Sequence, residues 1–410
     1  MEAMIERCAG LDVHQETVVA CVLFGSLDKK PSKEIQTFPT TTRGLLALSD
    51  WLSSYKVTDV VMESTGVYWK PIWNVLENDF QLILANVQHV KNVPGRKTDV
   101  KDAEWLAKLL RSGLIESNFV PPEDIRDLRD LTRYRKKLIY SRTAERNRIH
   151  KILQDANIKL TTVVSDIFGA TGCRILEALI NGEKMEVQKL QQMVDPRIKA
   201  NLEAIVEALN GRIRKHHRDM LRFHWEHIAY IDETIDKVVE QIDQLLIPYQ
   251  KEWELLETIP GVNKTAAATF IAEMGVDMSV FKTSKNVASW AGVSPGNYES
   301  AGKKKTGKTT YGNKALRTIA VECSFATDRQ NNRISAHRRR IMKRQGKSKA
   351  RVASAHLILT IAYTILKTGV AYQELGPDYV QQNQQNKELK MIQYLKKKGY
   401  RIEQGDQQTA

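Results

Sequence analysis

The sequence predicts an α/β domain followed by mainly helical regions, an α/β plus α class overall. Before Pro121, short apolar runs alternate with amphipathic segments, as in a layer of strands and helices. After Pro121 the pattern is helical and highly charged, and 410 residues are too many for one core. We therefore expect a mixed-sheet domain at 1–120, a helical and coiled-coil region at 121–255, a mainly helical C-terminal domain at 256–380 and a polar tail at 381–410.

The apolar runs of the first domain predict five strands. Only three polar residues separate the first two runs, which favours a hairpin, and helical segments separate most of the others. The predicted strands are Cys8–Val13, Thr17–Phe24, Glu34–Phe38, Thr58–Met62 and Gln81–Ala85. The predicted helices run from the N-cap candidates Thr40–Thr42 to about Ser53, from Tyr68 to Glu77 and from Asp99 to Arg111. A hairpin followed by this alternation indicates a mixed sheet.

The middle of the chain predicts long helices. Asp124–Asn157 is a charged helical stretch, and Thr161–Ala208 contains shorter helical pieces interrupted by glycines. A later apolar stripe steps by four and three residues through Ile231, Ile235, Val238, Ile242 and Leu245, with Leu221, Trp225 and Ile228 upstream. Two interpretations stay open for this stripe. It packs on the first long helix as an antiparallel pair, or it forms a coiled coil between chains.

After Pro248 a third region begins with a candidate helical hairpin. Ile259–Ala266 reads IPGVNKTA, and backbone N–H groups around Gly261 are suited to face a DNA phosphate. A plain turn between two helices is the alternative. The segment after Tyr379 is rich in Gln and Asn, and we expect its end to be disordered.

Basic residues are in excess and clustered. The formal net charge is +14, and nine Lys or Arg residues but no acid occur between Asn331 and Arg351. A polyanion is the natural partner of such a surface, whereas charge that serves only solubility would be spread evenly. We therefore predict nucleic-acid binding, with phosphate contacts from Arg338, Arg339 and Arg340.

Cysteine usage and hydropathy predict a cytoplasmic protein without a membrane segment. The four cysteines are scattered with no CxxC pair, which argues against a zinc ribbon or a disulfide framework. The first ten residues lack the apolar core of a signal peptide, and the apolar run Leu357–Leu366 is too short to span a bilayer.

Four acidic residues in the first domain are candidate metal ligands. Asp12 and Glu63 lie at the ends of predicted strands, and Asp99 and Asp102 lie three apart at the start of a predicted helix. Carboxylates gathered at one sheet edge repel each other unless cations bind them, and Mg²⁺ prefers such oxygen ligands. The alternative is local, because Asp99 could cap its helix and Asp102 could serve as a first-turn acid.

A second candidate site is the loop Gly292–Arg317, which contains Ser300. A hydroxyl among cations and flexible backbone suits an attack on a phosphodiester, although most loop serines are ordinary turn residues. The segment between Ala301 and Val321 contains no acid. Its predicted phosphate contacts are Lys303, Lys304, Lys305, Lys308, Lys314 and Arg317.

Five sequence blocks in the same order resemble the DEDD-type bacterial insertion-sequence transposases, also described as bridge-RNA-guided recombinases and related to Piv-like DNA invertases. The blocks cover nearly the whole chain and read LDVHQET, MESTGVYWKP, KTDVKDAEWLA, TIPGV and WAGVSPGNYESAGKKKTGK…GNKALR. The resemblance implies a RuvC-like, RNase H-type N-terminal domain with the acidic tetrad Asp12, Glu63, Asp99 and Asp102. It also implies a C-terminal transposase domain with Ser300 as the catalytic serine.

The same resemblance implies a mechanism and partners. The serine would form a phosphoserine bond to DNA, assisted by Mg²⁺, and a guide RNA would choose the target. The two halves of the site would meet within a homo-oligomer, a dimer to a tetramer. The alternatives are a metal-dependent nuclease or junction resolvase that activates water, and a non-catalytic nucleic-acid-binding scaffold.

Overall fold

A computed structural model describes most of the chain, in two compact units, Met1–Val120 and Pro121–Ala410. The described residues are 4–64, 66–85, 99–115, 117–198, 200–294, 299–300, 303–304, 309 and 311–400. The side chains of Asp99, Val100, Lys101, Glu299, Ser300, Lys303, Lys304 and Val380 lie outside this description.

The first unit contains a mixed sheet, as predicted, but it has six strands rather than five. Its strands are β1 Arg7–Val13, β2 Thr17–Phe24, β3 Ser32–Pro39, β4 Asp59–Glu63, β5 Gln81–Ala85 and β6 Ser117–Asn118. Their order across the sheet is β3-β2-β1-β4-β5-β6. Strands β1, β4 and β5 are parallel and the remaining pairs are antiparallel. The helices are α1 Thr42–Ser54, α2 Trp69–Leu76 and α3 Asp99–Arg111.

Each face of this sheet has its own apolar core. Side chains alternate along a strand, so Ala9 and Leu11 of β1 join the cluster that also contains buried residues of α1 and α2. Cys8 and Val61 point to the other face and pack with the α3 residues Ala103, Leu106, Ala107 and Leu110. The helix α3 therefore covers one face of the β1–β4 pair.

The second unit is almost entirely helical in its described part. Its longer helices are α4 Glu123–Asp155, α9 Lys215–Leu246, α15 Lys347–Thr368 and α16 Tyr379–Lys397. The shorter ones are α5 Leu160–Val163, α6 Ala170–Ile180, α7 Val187–Met193, α8 Leu202–Ala208, α10 Gln250–Glu257, α11 Lys264–Met274, α12 Ser284–Trp290, α13 Lys314–Ala326 and α14 Arg333–Gln345. A two-stranded hairpin is formed by β7 Glu299–Ser300 and β8 Lys303–Lys304.

The apolar stripe of α9 packs on α4 within the same chain. Arg142 of α4 bonds Asp232, and Asp155 at the end of α4 bonds His217 near the start of α9, so the two helices are antiparallel. Ile231, Ile235, Val238 and Ile242 are buried, but Leu246 takes the position expected for Leu245. A straight helix drifts away from a strict heptad, which explains this one-residue shift.

Two further segments complete the described fold. Helices α5 to α8 form a cluster with the facing parts of α4 and α9, built around buried residues such as Ile175 and Leu176. Helix α16 covers most of the polar tail, and the end predicted to be disordered, 401–410, lies outside the described residues. Along the described stretches, no helix combines the length and the apolar character needed to cross a bilayer.

Candidate active site

Asp12 and Glu63 occupy equivalent places on neighbouring parallel strands. In the register of β1 and β4, Leu11 pairs with Met62. The next residues along the two strands are Asp12 and Glu63, so both carboxylates stand at the carboxyl end of the strand pair. Both are partly buried. Sequence reasoning predicted this edge, and the register supplies the lateral alignment of the two residues.

Both carboxylates also belong to the sheet face that α3 covers. Gly10 precedes Asp12 by two residues and Val61 precedes Glu63 by two, so each pair shares a face. The backbone of α3 approaches β1 closely at Gly10, where an added Cβ would lie 2.3 Å from the Ala103 carbonyl oxygen. Asp102 is the neighbour of that contact residue. The close approach therefore brings the first turns of α3 to the Asp12 end of the sheet.

The predicted pair on α3 lies along its sheet-facing row. Position 99 is four residues before Ala103 and position 102 is four before Leu106, and both of these apolar residues pack on the sheet. Asp102 is partly buried, whereas the side chain of Asp99 lies outside the described residues. Positions 99 and 102 therefore continue the sheet-facing row of α3 towards the ends of the strands.

His14 is a neighbour of this edge that sequence reasoning missed. Its Nε2 atom lies 3.3 Å from Oδ2 of Asp12. The signal was present in the block LDVHQET, because His14 is two residues beyond Asp12 and begins the turn to β2. An imidazole beside a carboxylate can hold that carboxylate in one orientation.

The donor set at this edge suits a hard divalent cation. Aspartate and glutamate oxygens are the ligands that Mg²⁺ prefers, and no thiol competes, because Cys8 is buried within the core. Among the side chains that the structure describes, no three His, Cys, Asp or Glu residues come together as a metal-binding group. The side chain of Asp99 stands outside that set.

Ser300 lies in the hairpin of β7 and β8, where it pairs with Lys303. The side chains of Ser300, Lys303 and Lys304 lie outside the description, as do all atoms of Lys305 and Lys308. Farther along, Lys314 is exposed at the start of α13. Arg317 donates from Nη1 to the Thr309 hydroxyl at 3.4 Å. The hairpin thus precedes a helix whose first turn carries two cations.

Two family models match this chain in the expected order. Residues 9–158 match a transposase model of the DEDD type associated with IS110, and 253–352 match the model described as the transposase IS116/IS110/IS902 family. The chain belongs to the IS110 family of DEDD transposases. The resemblance drawn from the five sequence blocks is therefore confirmed.

Relatives of this transposase include a gene-inverting protein as well as a transposase. The pilin gene-inverting protein of Moraxella bovis is 23% identical over 386 residues, which cover 89% of this chain and 97% of that protein. The transposase for insertion sequence element IS1111A of Coxiella burnetii is 24% identical over 331 residues, covering 78% of this chain and 81% of that protein.

The matches establish the class of activity. The protein is an enzyme, a DNA transposase and recombinase of insertion sequences, and DNA is its partner. The DEDD type implies dependence on a divalent metal ion in general.

Arg338 does not share the exposed surface of its two neighbours on α14. It is buried, its Nη1 donates to Asp328 and, at 3.3 Å, to the Ser324 carbonyl oxygen, and its guanidinium lies over the Phe325 ring. We correct the prediction for this residue, because its donors face groups within the protein. Arg339 and Arg340 are exposed and remain predicted phosphate contacts.

Gly261 lies in a turn between α10 and α11, where packing alone requires glycine. Its φ is 84°, and an added Cβ would lie 2.4 Å from the Cys323 carbonyl oxygen and 2.8 Å from Cγ2 of Thr327. The turn therefore sits directly on α13. This explains the residue without a ligand, and its contact with a DNA phosphate stays a prediction.

The cysteines of the transposase are poor candidates for covalent catalysis. Burial raises the pKa of the Cys8 and Cys323 thiols to about 12 and that of Cys21 to about 11. A thiolate is the reactive form of cysteine, so these three stay protonated and unreactive near neutral pH. A hydroxyl nucleophile is consistent with this pattern.

Proposed function

We propose that this transposase cuts and rejoins DNA through a covalent bond between Ser300 and a DNA phosphate, with Mg²⁺ held by Asp12, Glu63, Asp99 and Asp102. The observation that carries the metal part is the alignment of Asp12 and Glu63 at the ends of paired parallel strands, on the face covered by α3. The family membership supports the recombinase class.

The serine step needs no external energy source. Attack by the Ser300 hydroxyl forms one phosphorus–oxygen bond and breaks the bond to one DNA strand, whose oxygen leaves with a proton. The hydroxyl proton of the serine is released in the same step. Because one phosphoester replaces another, the reverse attack by a strand hydroxyl frees the serine and reseals the DNA without ATP. The cations Lys314 and Arg317, at the start of the next helix, offset the charge of the phosphate.

The carboxylate edge supplies the metal part of the chemistry. When bound there, Mg²⁺ would polarise the phosphate and stabilise the leaving oxygen. Asp12 and Glu63 would hold it at the strand ends, and Asp99 and Asp102 of α3 would complete the set. His14, 3.3 Å from Asp12, would fix the orientation of that carboxylate.

A guide RNA and an oligomer complete the proposal. The net charge of +14 and the exposed cations of α14 support nucleic-acid binding, and the family resemblance is the source of the proposal that an RNA binds besides the DNA substrate. An RNA transcribed from the non-coding end of the element would choose the target by base pairing, while the protein contacts backbone and duplex shape. Two to four copies would assemble in the cytoplasm to join the two halves of the site.

A cleavage assay tests the metal part of the proposal. We expect strand cleavage of DNA carrying the ends of the element in Mg²⁺ and its loss in EDTA. Asp12→Ala and Glu63→Ala abolish cleavage but retain their circular dichroism spectrum and their affinity for DNA. Asp50→Ala, which removes an exposed acid from α1, is the matched control and cleaves normally. Full activity in EDTA would reject the metal assignment.

The same assay separates the alternatives. A metal-dependent nuclease or junction resolvase would use the carboxylates to activate water, and it would leave no protein bound to the cut DNA. A scaffold would bind DNA and cleave nothing. Omitting the RNA transcribed from the flanking non-coding sequence tests guidance, since cleavage at the cognate site should then disappear.

A further inference from the structure

A fully buried carboxylate lies close to the base of the serine loop, which is the connection from α12 to α13 that contains Ser300. Glu273, near the end of α11, has 0% exposure. A buried charge is costly unless it is paired and hydrogen-bonded. Arg133 of α4 donates from Nε to Oε1 at 2.7 Å and from Nη2 to Oε2 at 2.8 Å. Asn313 donates from Nδ2 to Oε2 at 2.6 Å.

A second arginine completes the neutralisation of this carboxylate. Arg129 lies one helical turn before Arg133, and its Nε is 3.4 Å from Oε2 of Glu273. It also donates to the backbone carbonyl oxygens of Ala272 at 2.9 Å and Glu273 at 2.8 Å. Burial lowers the pKa of the Arg129 guanidinium to about 10, so it remains a cation near neutral pH. Two cations from α4 thus hold one carboxylate of α11.

Asn313 has two structural roles at once. It is the N-cap of α13, where its Oδ1 accepts from the Leu316 N–H at 3.0 Å. Its amide group donates to Glu273. Both ends of this side chain are therefore engaged, one with the helix that follows the serine loop and the other with the buried carboxylate.

The two ends of the serine loop meet at this point. The backbone N–H of Asn313 donates to the Trp290 carbonyl oxygen at 2.8 Å, and Trp290 is the last residue of α12. Gly312 is pressed against the same turn, because an added Cβ would lie 2.4 Å from the Gly292 backbone nitrogen. The segment that contains Ser300 therefore leaves α12 and enters α13 at one place, where Trp290 and Gly292 meet Gly312 and Asn313. We call this contact the closed base of the serine loop.

We infer that Glu273 is a positioning residue for Ser300, acting through Asn313. This inference rests on the proposed role of Ser300. The carboxylate holds Asn313 against the end of α12, and this fixes the base of the loop and the first turn of α13 with Lys314 and Arg317. The serine and the cations that bind its phosphate then keep one geometry. Small displacements of a reacting group are costly, since about 1 Å can slow a reaction about 10²-fold.

The variant Asn313→Ser isolates this contact. Serine still caps a helix, so α13 keeps its N-cap, but a hydroxyl on the shorter side chain no longer reaches Glu273. Asn201→Ser is the matched control, because Asn201 caps α8 by the same bond to the Ala204 N–H at 2.8 Å and lies outside the serine loop. Arg133→Lys is a second variant, which keeps the charge but loses the two parallel hydrogen bonds.

Two measurements decide the inference. With saturating DNA, the single-turnover rate of the covalent Ser300–DNA product should fall about 10–10²-fold in Asn313→Ser, while the dissociation constant for DNA stays within about twofold. In the absence of DNA, backbone amides of 290–316 should exchange hydrogen faster in this variant. Asn201→Ser should change neither measurement.

The outcomes separate this inference from the proposed function. If the wild type forms no covalent product, the proposed function fails, and the exchange measurement still tests the closed base. If the wild type forms it and Asn313→Ser matches its rate, the positioning inference is overturned. Unchanged exchange overturns it as well. If Asn313→Ser does not fold, Arg133→Lys is held to the same criteria.

Discussion

Gly10 is the residue that allows α3 to approach the carboxylate edge. An added Cβ would lie 2.3 Å from the Ala103 carbonyl oxygen and 2.5 Å from the Ala107 backbone nitrogen. Both are backbone atoms, so the contact cannot be relieved by a side-chain rotation. The distance between α3 and β1 therefore depends on the lack of a side chain at Gly10. The position of Asp102 relative to Asp12 depends on it as well.

Gly10→Ala should therefore displace α3 from the sheet. We expect a loss of about 1–3 kcal/mol in the free energy of unfolding, from overpacking, and a larger loss of cleavage than of DNA binding. Thermal unfolding and the cleavage assay measure the two effects. Gly169→Ala is the control, since the three nearest atoms to its added Cβ all belong to Asp166, with the carbonyl oxygen closest at 3.3 Å. An active and fully stable Gly10→Ala protein would contradict the proposed packing of the site.

Single residues also mark the limit of prediction from sequence. Arg338, Arg339 and Arg340 look identical in a charge count, yet the first is buried against Phe325 and Asp328. Glu273 was missed, although a single acid on a mainly apolar helix was visible in KTAAATFIAEM. Whether a charge is solvated or paired depends on neighbours that are distant in sequence, which composition does not reveal.

At the scale of elements, helix α14 is predicted to hold DNA or RNA by charge. Arg339→Ala with Arg340→Ala should weaken binding across sequences and reduce the log–log salt slope by up to about 1.8, if each residue meets one phosphate. Lys29→Ala with Lys30→Ala removes the same charge from an exposed turn and should leave the slope unchanged. Equal slopes in the two double variants would mean that α14 presents only a solvated face.

The attachment of α3 to the sheet should depend on pH through Glu104. This carboxylate bonds Lys108 of α3 at 2.6 Å and Lys33 of β3 at 2.9 Å, and these bonds hold its pKa below the usual 4.5. A lowered folded pKa adds stability that is fully present above the unfolded pKa and is lost as the pH falls through the folded pKa.

The variant Glu104→Gln tests this dependence. We expect wild type to exceed the variant in free energy of unfolding above about pH 5, and the difference to shrink as the pH falls below about 4.5. Urea denaturation across this range measures it. A difference that is independent of pH would show that the ion pairs contribute nothing to stability, as many exposed pairs do.

The sequence predicted the strands and helices better than the surfaces on which they pack. Five strands and the helices of the first unit followed from hydrophobic periodicity, whereas β6 has only two residues and leaves no periodic signal. The stripe of α9 was evident, but a stripe does not say which surface it meets. The structure shows that α4 of the same chain is its partner.

At the scale of the whole molecule, the two proposed halves of the site belong to different units. Asp12 and Glu63 lie in Met1–Val120, and Ser300 lies in Pro121–Ala410. The resemblance predicts that the halves meet between protomers. A mixture of Asp12→Asn and Ser300→Ala proteins should then recover part of the cleavage activity that each lacks alone. No recovery in mixed oligomers would place both halves of one site within a single protomer.

The covalent product is the most direct test of the account. Labelled DNA after reaction with wild type should give a retarded band on a denaturing gel, and peptide mapping should locate the nucleotide on Ser300. Ser300→Ala should bind DNA normally and give neither the band nor joined strands, whereas Ser294→Ala, the control hydroxyl in the same loop, should give both. Cleavage by Ser300→Ala at the wild-type rate, with no protein bound to DNA in the wild type, would contradict the recombinase mechanism.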